Sequence, residues 1–412
     1  MTKAPYNSAF LRFFASLLVS VIPSVTPAAP FDWPAWRGPD RTGVSEESDW
    51  KVWSAGGPKE AWRKKVGIGF SSVSVANGKV YTLGNTGGTD TVWCLDAQTG
   101  RKIWSYSYPC RLGSHPGPRM TPTVDGDLVY TMSREGDIFC FDAQSGKVKW
   151  KANAKEDFGA KQSRYKWGFA CSPLVYGDIL LFDLGRVVAL NKKTGKVLWM
   201  TGDDIAGFSS PIVFRHGGSE YTTSFNAFGL VVVDLRTHKE VARFPWKTAW
   251  LVNAVTPIYH DGYIFISSGY GKGCALLRLT EKGLEPIYQN KQMRNHVNNS
   301  VLYEGYLYGF DGQQGSRGRL VCMEFATGKV AWRQDGLRVG SLMIAGGKII
   351  AMLDRGELLI AEASPKAYRE IARANVLSGQ CWTYPVLSNG RIYCRSNKEG
   401  ELVCIDVSGG KK

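Results

Sequence analysis

The chain has 412 residues, 44% of them hydrophobic, and 51 Lys and Arg against 36 Asp and Glu give it a formal net charge of +15. A chain of this kind can bury a large core, but it is too long for one small domain unless repeated units add to one another. Because no basic run is interleaved with aromatic residues, nucleic acid is not predicted as a partner, and the positive charge is interpreted as a solvated rim.

The N-terminal segment 1–29 has the pattern of a cleavable export signal. Lys3 and Arg12 supply positive charge, and residues 13–25 form a short apolar stretch that small residues follow. This stretch is too short to span a bilayer. The first cysteine of the chain is Cys94, so a lipid-modified N-terminus is not predicted. We therefore expect an exported protein, periplasmic or secreted, that does not span the membrane.

A phrase of eleven residues recurs along the chain as CLDAQTGRKIW, CFDAQSGKVKW, ALNKKTGKVLW and CMEFATGKVAW, at 94–104, 140–150, 189–199 and 322–332. In each copy a polar residue opens a turn, a Gly allows positive φ, and a closing Trp offers a flat face to a neighbouring unit. The closing Trp residues of the first three copies are separated by 46 and 49 residues, which is about the length of a four-stranded propeller blade. The residues predicted to dock neighbouring blades are Trp62, Trp104, Trp150, Trp199 and Trp332, with Gly100, Gly146, Gly195 and Gly328.

Between these phrases, Gly turns such as the one in 77–81 precede β-forming residues and predict hairpins. Eight strand-initiating segments predict an all-β fold, an eight-bladed propeller of four-stranded antiparallel blades over residues 58–412, after an N-terminal arm at 30–57. The last unit has only three strands, and residues 58–66 form an orphan strand. We therefore predict that the N-terminal strand completes the last blade and leaves no open edge. A seven-bladed ring is the alternative, because two units are degraded.

The Ala/Cys-x-Asp/Asn-x-x-Thr/Ser-Gly-x-x-x-Trp pattern resembles the tryptophan-docking motif of quinoprotein alcohol dehydrogenases. It also resembles the pyrroloquinoline-quinone-like repeat of the propeller lipoprotein in the outer-membrane β-barrel assembly machinery. WPAWRGPDRTGVS (33–45), KWGFACSPLV (166–175) and SGYGKG (268–273) are similar to a bacterial family of exported proteins with this repeat, and that similarity covers residues 31–408. The resemblance implies the propeller fold, but one fold hosts many functions.

In a propeller of this type the long loops open on one face, around the central channel, and the Thr-Gly-Lys turns lie on the other. Basic, aromatic and amide groups on that loop face can hold a carboxylate, a sulfate or a sugar. The ligand-binding candidates are Arg111, His115, Arg119, Arg164, Lys166, Trp167, Trp250, Tyr270, Lys272, Arg294, Asn295 and His296. The structural alternatives stay open: Trp167 and Trp250 can fill gaps between blades, and His296 can make structural hydrogen bonds.

The resemblance to quinoproteins implies pyrroloquinoline quinone with calcium as a cofactor. Those enzymes stack the quinone on a disulfide between adjacent cysteines and bind calcium through carboxylate and amide ligands. This chain has no adjacent Cys pair, and the acids of its loop face, Glu156 and Asp157, lie in one loop. HExxH, EF-hand and GxSxG motifs are also missing from the sequence. We therefore expect no cofactor and no metal, and leave the catalytic residues unassigned.

Three functions remain open at this stage. The first is a monomeric, non-enzymatic scaffold that binds an envelope protein or an anionic glycan through its loop face. The second is a quinone-dependent oxidoreductase, and the third is a carbohydrate-active enzyme for anionic polysaccharide.

Nine cysteines in an exported chain can indicate disulfides. Four of them (Cys94, Cys140, Cys322, Cys404) share one repeat position, which favours a small buried strand residue over a bond. Whether Cys394 pairs with Cys404 is left open.

Overall fold

The computed structural model describes residues 1–2 and 30–409; the rest of the predicted export signal lies outside the described residues. Within this range the chain forms 33 strands and no helix. The N-terminal arm contributes β1 (Val44–Ser45), and β2 (Lys59–Lys65) follows it. No helix of the described range is long and apolar enough to cross a bilayer.

Four consecutive hairpin-connected strands form each of the first seven blades. Blades 1 and 2 contain β3 (Ser74–Ala76), β4 (Lys79–Thr86), β5 (Thr89–Asp96), β6 (Lys102–Pro109), β7 (Thr123–Asp125), β8 (Leu128–Met132), β9 (Asp137–Asp142) and β10 (Val148–Asn153). Blades 3 and 4 contain β11 (Leu174–Tyr176), β12 (Ile179–Asp183), β13 (Val187–Asn191), β14 (Val197–Thr201), β15 (Val213–His216), β16 (Ser219–Asn226), β17 (Gly229–Asp234) and β18 (Glu240–Pro245).

Blades 5 and 6 contain β19 (Ile258–His260), β20 (Tyr263–Ser268), β21 (Gly273–Thr280), β22 (Gly283–Asn290), β23 (Val301–Tyr303), β24 (Tyr306–Asp311), β25 (Arg317–Glu324) and β26 (Val330–Arg338). Blade 7 contains β27 (Gly340–Ala345), β28 (Lys348–Leu353), β29 (Glu357–Glu362) and β30 (Glu370–Asn375), and β1 adds a parallel strand to β27. Blade 8 contains β31 (Val386–Ser388), β32 (Arg391–Arg395), β33 (Glu401–Asp406) and β2.

The two ends of the propeller meet in blade 8. Strand β2 pairs antiparallel with β33, with Lys59 opposite Asp406 and Trp62 opposite Cys404. The outer strand of the last blade therefore comes from the start of the propeller, which removes an open edge at the point of closure. The predicted closure by residues 58–66 and the eight-bladed ring are confirmed, and the seven-bladed alternative is wrong.

The recurring phrase joins each blade to the next. Trp104, at the end of blade 1, donates a hydrogen bond from Nε1 to Ala143 O of blade 2 at 3.0 Å. Its ring lies on Gly146, where an added Cβ would be 2.6 Å from Trp104 Cδ2. Only glycine fits at this close approach, and its φ of +70° suits no other residue well.

The other docking contacts follow the same plan. Nε1 of Trp62, Trp150 and Trp332 donates to Ala97 O, Lys192 O and Ser364 O at 3.1, 3.1 and 2.8 Å. The turn of blade 4 has His238 in place of the glycine, and the His238 ring stacks on Trp199 with ring centroids 4.7 Å apart. In blade 5, Tyr288 takes the place of the docking tryptophan. It lies against Gly328, and its hydroxyl donates to Phe325 O at 3.0 Å.

The cysteines serve packing in this arrangement. Cys94, Cys140 and Cys322 lie opposite Trp104, Trp150 and Trp332 in the strand register. All nine cysteines fall in the described range, where they are buried and free, Cys394 and Cys404 included. A small side chain at this position leaves room for the bulky indole on the neighbouring outer strand.

The N-terminal arm fills the axial channel. Trp33 forms an isolated bridge with Val75 of blade 1, Arg41 Nη1 donates to Pro173 O of blade 3 at 2.9 Å, and Arg37 Nη2 donates to Ser300 O beside blade 6 at 3.0 Å. Burial lowers the pKa of Arg37 and of Arg41 to about 10. The arm is thus held by carbonyl groups from several blades and acts as a plug.

Candidate functional site

A cavity of about 210 Å³ lies at the loop-face end of the channel. Its walls come from the arm, from the connections between blades and, through Tyr270, from the loop between β20 and β21. Seven of the lining side chains are aromatic: Trp36, Phe70, Trp167, Phe208, Tyr270, Trp382 and Tyr384. The connections converge here because every blade sends one of them to the same end of the axis.

The arm supplies the cavity floor through Trp36. Its Nε1 donates to Thr256 Oγ1 at 2.9 Å, and its ring meets the edge of Tyr384 with centroids 4.7 Å apart. The hydroxyl of Tyr384 in turn accepts a hydrogen bond from the backbone N–H of Asn299. Burial raises the pKa of Tyr384 well above its ordinary value, so the phenol is neutral. The floor is therefore apolar and fixed.

Arg119 carries the positive charge of the cavity wall. Its Nη2 donates to His115 O at 2.8 Å, and its Cζ lies 5.8 Å from the ring centroid of Phe70. Burial and then the nearby Arg134 lower the pKa of Arg119 to about 9, so the guanidinium stays charged at neutral pH. Nη1 is buried and has no acceptor among the described residues. The wall thus contains a cation whose hydrogen bonding is incomplete.

His296 and Tyr270 form a hydrogen-bonded pair on the wall. The backbone N–H of Gln314 donates to His296 Nδ1 at 3.3 Å, so the ring hydrogen is on Nε2 and is donated to Tyr270 Oη at 2.8 Å. Burial and then His115 lower the pKa of His296 to about 4. The imidazole is therefore neutral with both nitrogens engaged, and the hydroxyl hydrogen of Tyr270 is left for another acceptor.

Three aromatic side chains pack together where Trp167 forms part of the cavity wall. Tyr165 stacks on Trp167 with centroids 5.1 Å apart, and Trp250 packs against Tyr165 at 5.2 Å. Arg164 Cζ lies 5.1 Å from the Tyr165 centroid. Trp250 is 45% exposed, which is unusual for a large aromatic residue. We call Tyr165, Trp167 and Trp250 the aromatic rim.

The structure brings five of the twelve candidate residues to the cavity wall. These are His115, Arg119, Trp167, Tyr270 and His296. Arg164 and Trp250 lie at its rim. A ligand role for these residues stays a prediction.

The other candidates lie outside the cavity lining. Arg294 is held by two hydrogen bonds of 2.7 Å to the buried carboxylate of Asp311. Lys272 Nζ lies 4.5 Å from the ring centroid of Trp246, and Asn295 is fully buried. The remaining two, Arg111 and Lys166, have exposed side chains and accept hydrogen bonds from Arg134 through their carbonyl groups. The side chains of Arg294, Lys272 and Asn295 are therefore already engaged in contacts within the protein.

Sequence reasoning found Trp167 but missed other aromatic residues of the connections that line the cavity. Phe70, Phe208 and Trp382 each lie four or five residues before the first strand of a blade, in the segments FSS, FSS and WTY. This recurring aromatic position is a signal that could have found them. Trp36 lies in the WPAWRGPD segment, but its place at the cavity floor depends on a contact with Thr256, 220 residues away.

The cavity does not fit calcium or a quinone stacked on a disulfide. No group of three or more His, Cys, Asp or Glu able to hold a metal occurs in the described part of the chain. Among the described lining residues none is a carboxylate, and all nine cysteines are free thiols. Hard cations such as calcium need several oxygen ligands. That the protein has no cofactor stays a prediction.

The family model described as "Outer membrane protein assembly factor BamB" matches residues 42–278 and 111–334. The outer membrane protein assembly factor BamB of Yersinia pestis is 21% identical over 323 residues, 75% of this chain and 79% of that protein. Quinoprotein alcohol dehydrogenase PedH of Pseudomonas putida is 25% identical over 171 residues, 39% of this chain and 28% of that dehydrogenase. The chain thus spans less than a third of the dehydrogenase that it matches.

Solved structures share the fold. BamB from Moraxella catarrhalis superposes with a TM-score of 0.62 at 15% identity, covering 86% of this chain and 99% of that one. Quinohemoprotein alcohol dehydrogenase from Comamonas testosteroni superposes with a TM-score of 0.72 at 13% identity, covering 92% and 81%. At these identities the likeness concerns the propeller alone.

Proposed function

We propose a function from the premise that this chain belongs to the family described as outer membrane protein assembly factor BamB. In this proposal the protein is an exported scaffold of the cell envelope that binds a protein partner at its loop face and catalyses no reaction. The observation that carries this proposal is the aromatic cavity with its aromatic rim. The name of the related assembly factors supports a protein of the envelope as the partner.

The aromatic rim has the chemistry of a protein-binding surface. Trp250 is exposed, and Arg164 and Tyr165 lie beside it. Trp, Tyr and Arg are the residue types enriched at the energetically dominant positions of interfaces, because each buries a large area at low entropic cost. A partner that covers Trp250 removes an apolar surface from water.

The same cavity is poorly equipped for catalysis. General acid–base chemistry needs a group that exchanges protons near the working pH. Of the two histidines on the wall, His296 has both ring nitrogens engaged and a pKa of about 4, and burial lowers the pKa of His115 as well. No carboxylate lines the cavity among the described residues. The wall supports recognition better than proton transfer.

Site-specific photocrosslinking tests the proposal. A photoreactive phenylalanine analogue replaces Trp250 at the rim, and a matched variant carries it at Lys239, an exposed turn residue at the opposite end of blade 4. After irradiation with an envelope fraction, we expect a defined protein adduct from position 250 and none from position 239.

Equal adducts from both positions, or none from position 250, would contradict a loop-face partner. Reduction of a dye by the purified protein in the presence of pyrroloquinoline quinone, calcium and primary alcohols would contradict the absence of catalysis.

A further inference from the structure

The outer strand of each blade pairs with another strand on one side only, so its other side is a free edge. A free edge can take up a further strand, and proteins usually prevent this with charged side chains on the edge. Seven of the eight outer strands in the described chain carry at least one Lys, Arg, Asp or Glu. The eighth is β14 of blade 3, with the sequence VLWMT and no charged residue. Blade 3 therefore lacks the protection that the other blades have.

Three of the other blades protect the edge with the same ion pair. A Glu and an Arg three residues further along bond at 2.7 Å in blades 8, 4 and 7, as Glu60–Arg63, Glu240–Arg243 and Glu370–Arg373. In each strand the Glu is the last paired residue before the shift in strand register, and the Arg is the second paired residue after it. In β14 these two places are held by Val197 and Met200. Apolar side chains thus replace an ion pair at matching positions.

The apolar side chains of β14 are exposed to water. Val197, Leu198 and Met200 are 43%, 50% and 40% exposed. Each of the other outer strands in the described chain has at most one large apolar side chain that is comparably exposed. A second strand on this edge would remove three apolar side chains from water and would pair the free backbone groups of β14.

Opposite charges mark the two ends of β14. Lys196 comes directly before the strand, is exposed, and has no ion-pair partner among the described residues. Asp203 follows the strand after one intervening residue, and its side chain stays 63% exposed although it pairs with Lys161 and Arg186. The strand that fits this edge therefore has a negative charge near the start of β14 and a positive charge near its end.

A second copy of β14 meets both requirements when it runs antiparallel. With the two copies of Trp199 opposite each other, Leu198 lies opposite Met200 of the second copy, so apolar side chains meet. Lys196 then lies beside Asp203 of the second copy, and the same pair forms again on the other side of the two-fold axis. A parallel copy would instead place Lys196 beside the second copy's Lys196. The sequence of the edge is thus complementary to itself in one orientation.

We propose that β14 pairs antiparallel with β14 of a second copy of this chain and joins two propellers at their blade 3 edges. This inference goes beyond the proposed function and departs from the monomer expected from the sequence. Because β14 runs from the turn face towards the loop face, antiparallel pairing points the two loop faces in opposite directions and leaves both cavities open. The dimer is a scaffold with two separate binding faces, which can hold two partner molecules at once.

Sedimentation velocity of the full chain, over a range of about a hundredfold in protein concentration, tests the dimer. A contact of one short strand is small, so we expect a weak and reversible dimer whose share rises with concentration. The variant Val197→Glu with Met200→Arg builds into β14 the ion pair of blades 4, 7 and 8. It should dimerise at least about tenfold more weakly.

The matched control places the same ion pair in blade 2. Val148 and Lys151 hold the corresponding positions of β10, so Val148→Glu with Lys151→Arg makes an equivalent change on another edge. This variant should dimerise like the parent protein. Thermal unfolding of both double variants shows that they are folded.

Disulfide crosslinking tests the orientation of the strands. Leu198→Cys and Met200→Cys proteins are oxidised separately and as a mixture. Directly opposite residues lie within disulfide reach and diagonal ones do not, so antiparallel pairing predicts a crosslinked dimer in the mixture only. The nine native cysteines are buried and should not contribute.

A parent protein that stays monomeric at every concentration would overturn the proposal, even if an envelope protein were captured at position 200. Unchanged dimerisation of Val197→Glu with Met200→Arg, or its loss in the blade 2 control, would also overturn it. A crosslink formed by Leu198→Cys alone would contradict the antiparallel arrangement. The photocrosslink from position 250 does not depend on β14, so its outcome decides the proposed function separately.

Discussion

Gly146 tests whether tryptophan docking holds the blades together. The matched control is Gly78, because both residues have a φ of +70°. A Cβ at Gly146 would be 2.6 Å from Trp104 Cδ2, whereas a Cβ at Gly78 would meet nothing within 4 Å. Replacement by Ala imposes the same backbone cost at both positions, and only at Gly146 does it also push an indole ring out of its contact.

The two costs differ by a calculable amount. A left-handed conformation costs an Ala residue about 1 kcal/mol. Displacing Trp104, which is 7% exposed, breaks its hydrogen bond to Ala143 O, worth about 1 kcal/mol. Re-exposing roughly half of a buried area of about 200 Å² adds ~2.5 kcal/mol at 25 cal/mol/Å². We expect Gly146→Ala to lower the free energy of unfolding by about 4.5 kcal/mol and Gly78→Ala by about 1 kcal/mol.

Urea unfolding followed by circular dichroism and tryptophan fluorescence gives both values. In a Trp104→Ala background the ring is gone, so Gly146→Ala should cost only about 1 kcal/mol, which gives a coupling energy of about 3.5 kcal/mol. Equal destabilisation by the two Gly variants, or the same cost of Gly146→Ala with and without Trp104, would refute the docking account.

Three further predictions concern the channel. Trp36→Ala should lower stability by about 2–3 kcal/mol in urea unfolding, because it removes the cavity floor and its bond to Thr256. The pKa of His296 is about 4 when folded and ~6.5 when unfolded; the unfolded chain binds more protons between these values, so stability should fall as pH drops from 6.5 to 4. His296→Gln should reduce that fall, and the parent imidazole resonance should not titrate above pH 5 in NMR spectra. Arg37→Met should cost about 2–3 kcal/mol by leaving Ser300 O unpaired and should expose the arm to trypsin, whereas Arg101→Met at an exposed turn should do neither.

The outer parts of the blades could be predicted because their determinants are local. A turn residue such as Asp96 accepts hydrogen bonds from the backbone N–H groups of Gln98 and Thr99, and Gly100 and Trp104 follow within the same phrase. The spacing of such phrases indicates a propeller, and the count of strand-initiating segments predicts eight blades. The strand at 58–66 could be assigned because the last unit was one strand short.

The channel could not be predicted because its contacts join distant parts of the chain. Arg37 bonds to a carbonyl 263 residues away, and nothing in the local sequence marks this partner. Arg294 has the exposure and charge of a ligand-binding residue by sequence, yet Asp311 occupies it with two hydrogen bonds of 2.7 Å. An ion pair of this kind depends on how the connection that carries Arg294 folds against the end of β24, which residue types alone do not reveal.

Ring closure and the cavity depend on the same segment. The arm is anchored at one end by β1 in blade 7 and continues into β2 in blade 8, so Trp36 reaches the cavity only in a closed ring. A fault in closure would therefore remove the cavity floor as well as the last blade. The face that carries the Thr-Gly-Lys turns is occupied by the docking contacts between blades. The connections at the other end can therefore vary in sequence without loss of docking. This arrangement is a further reason to propose the face that the arm completes as the site of recognition.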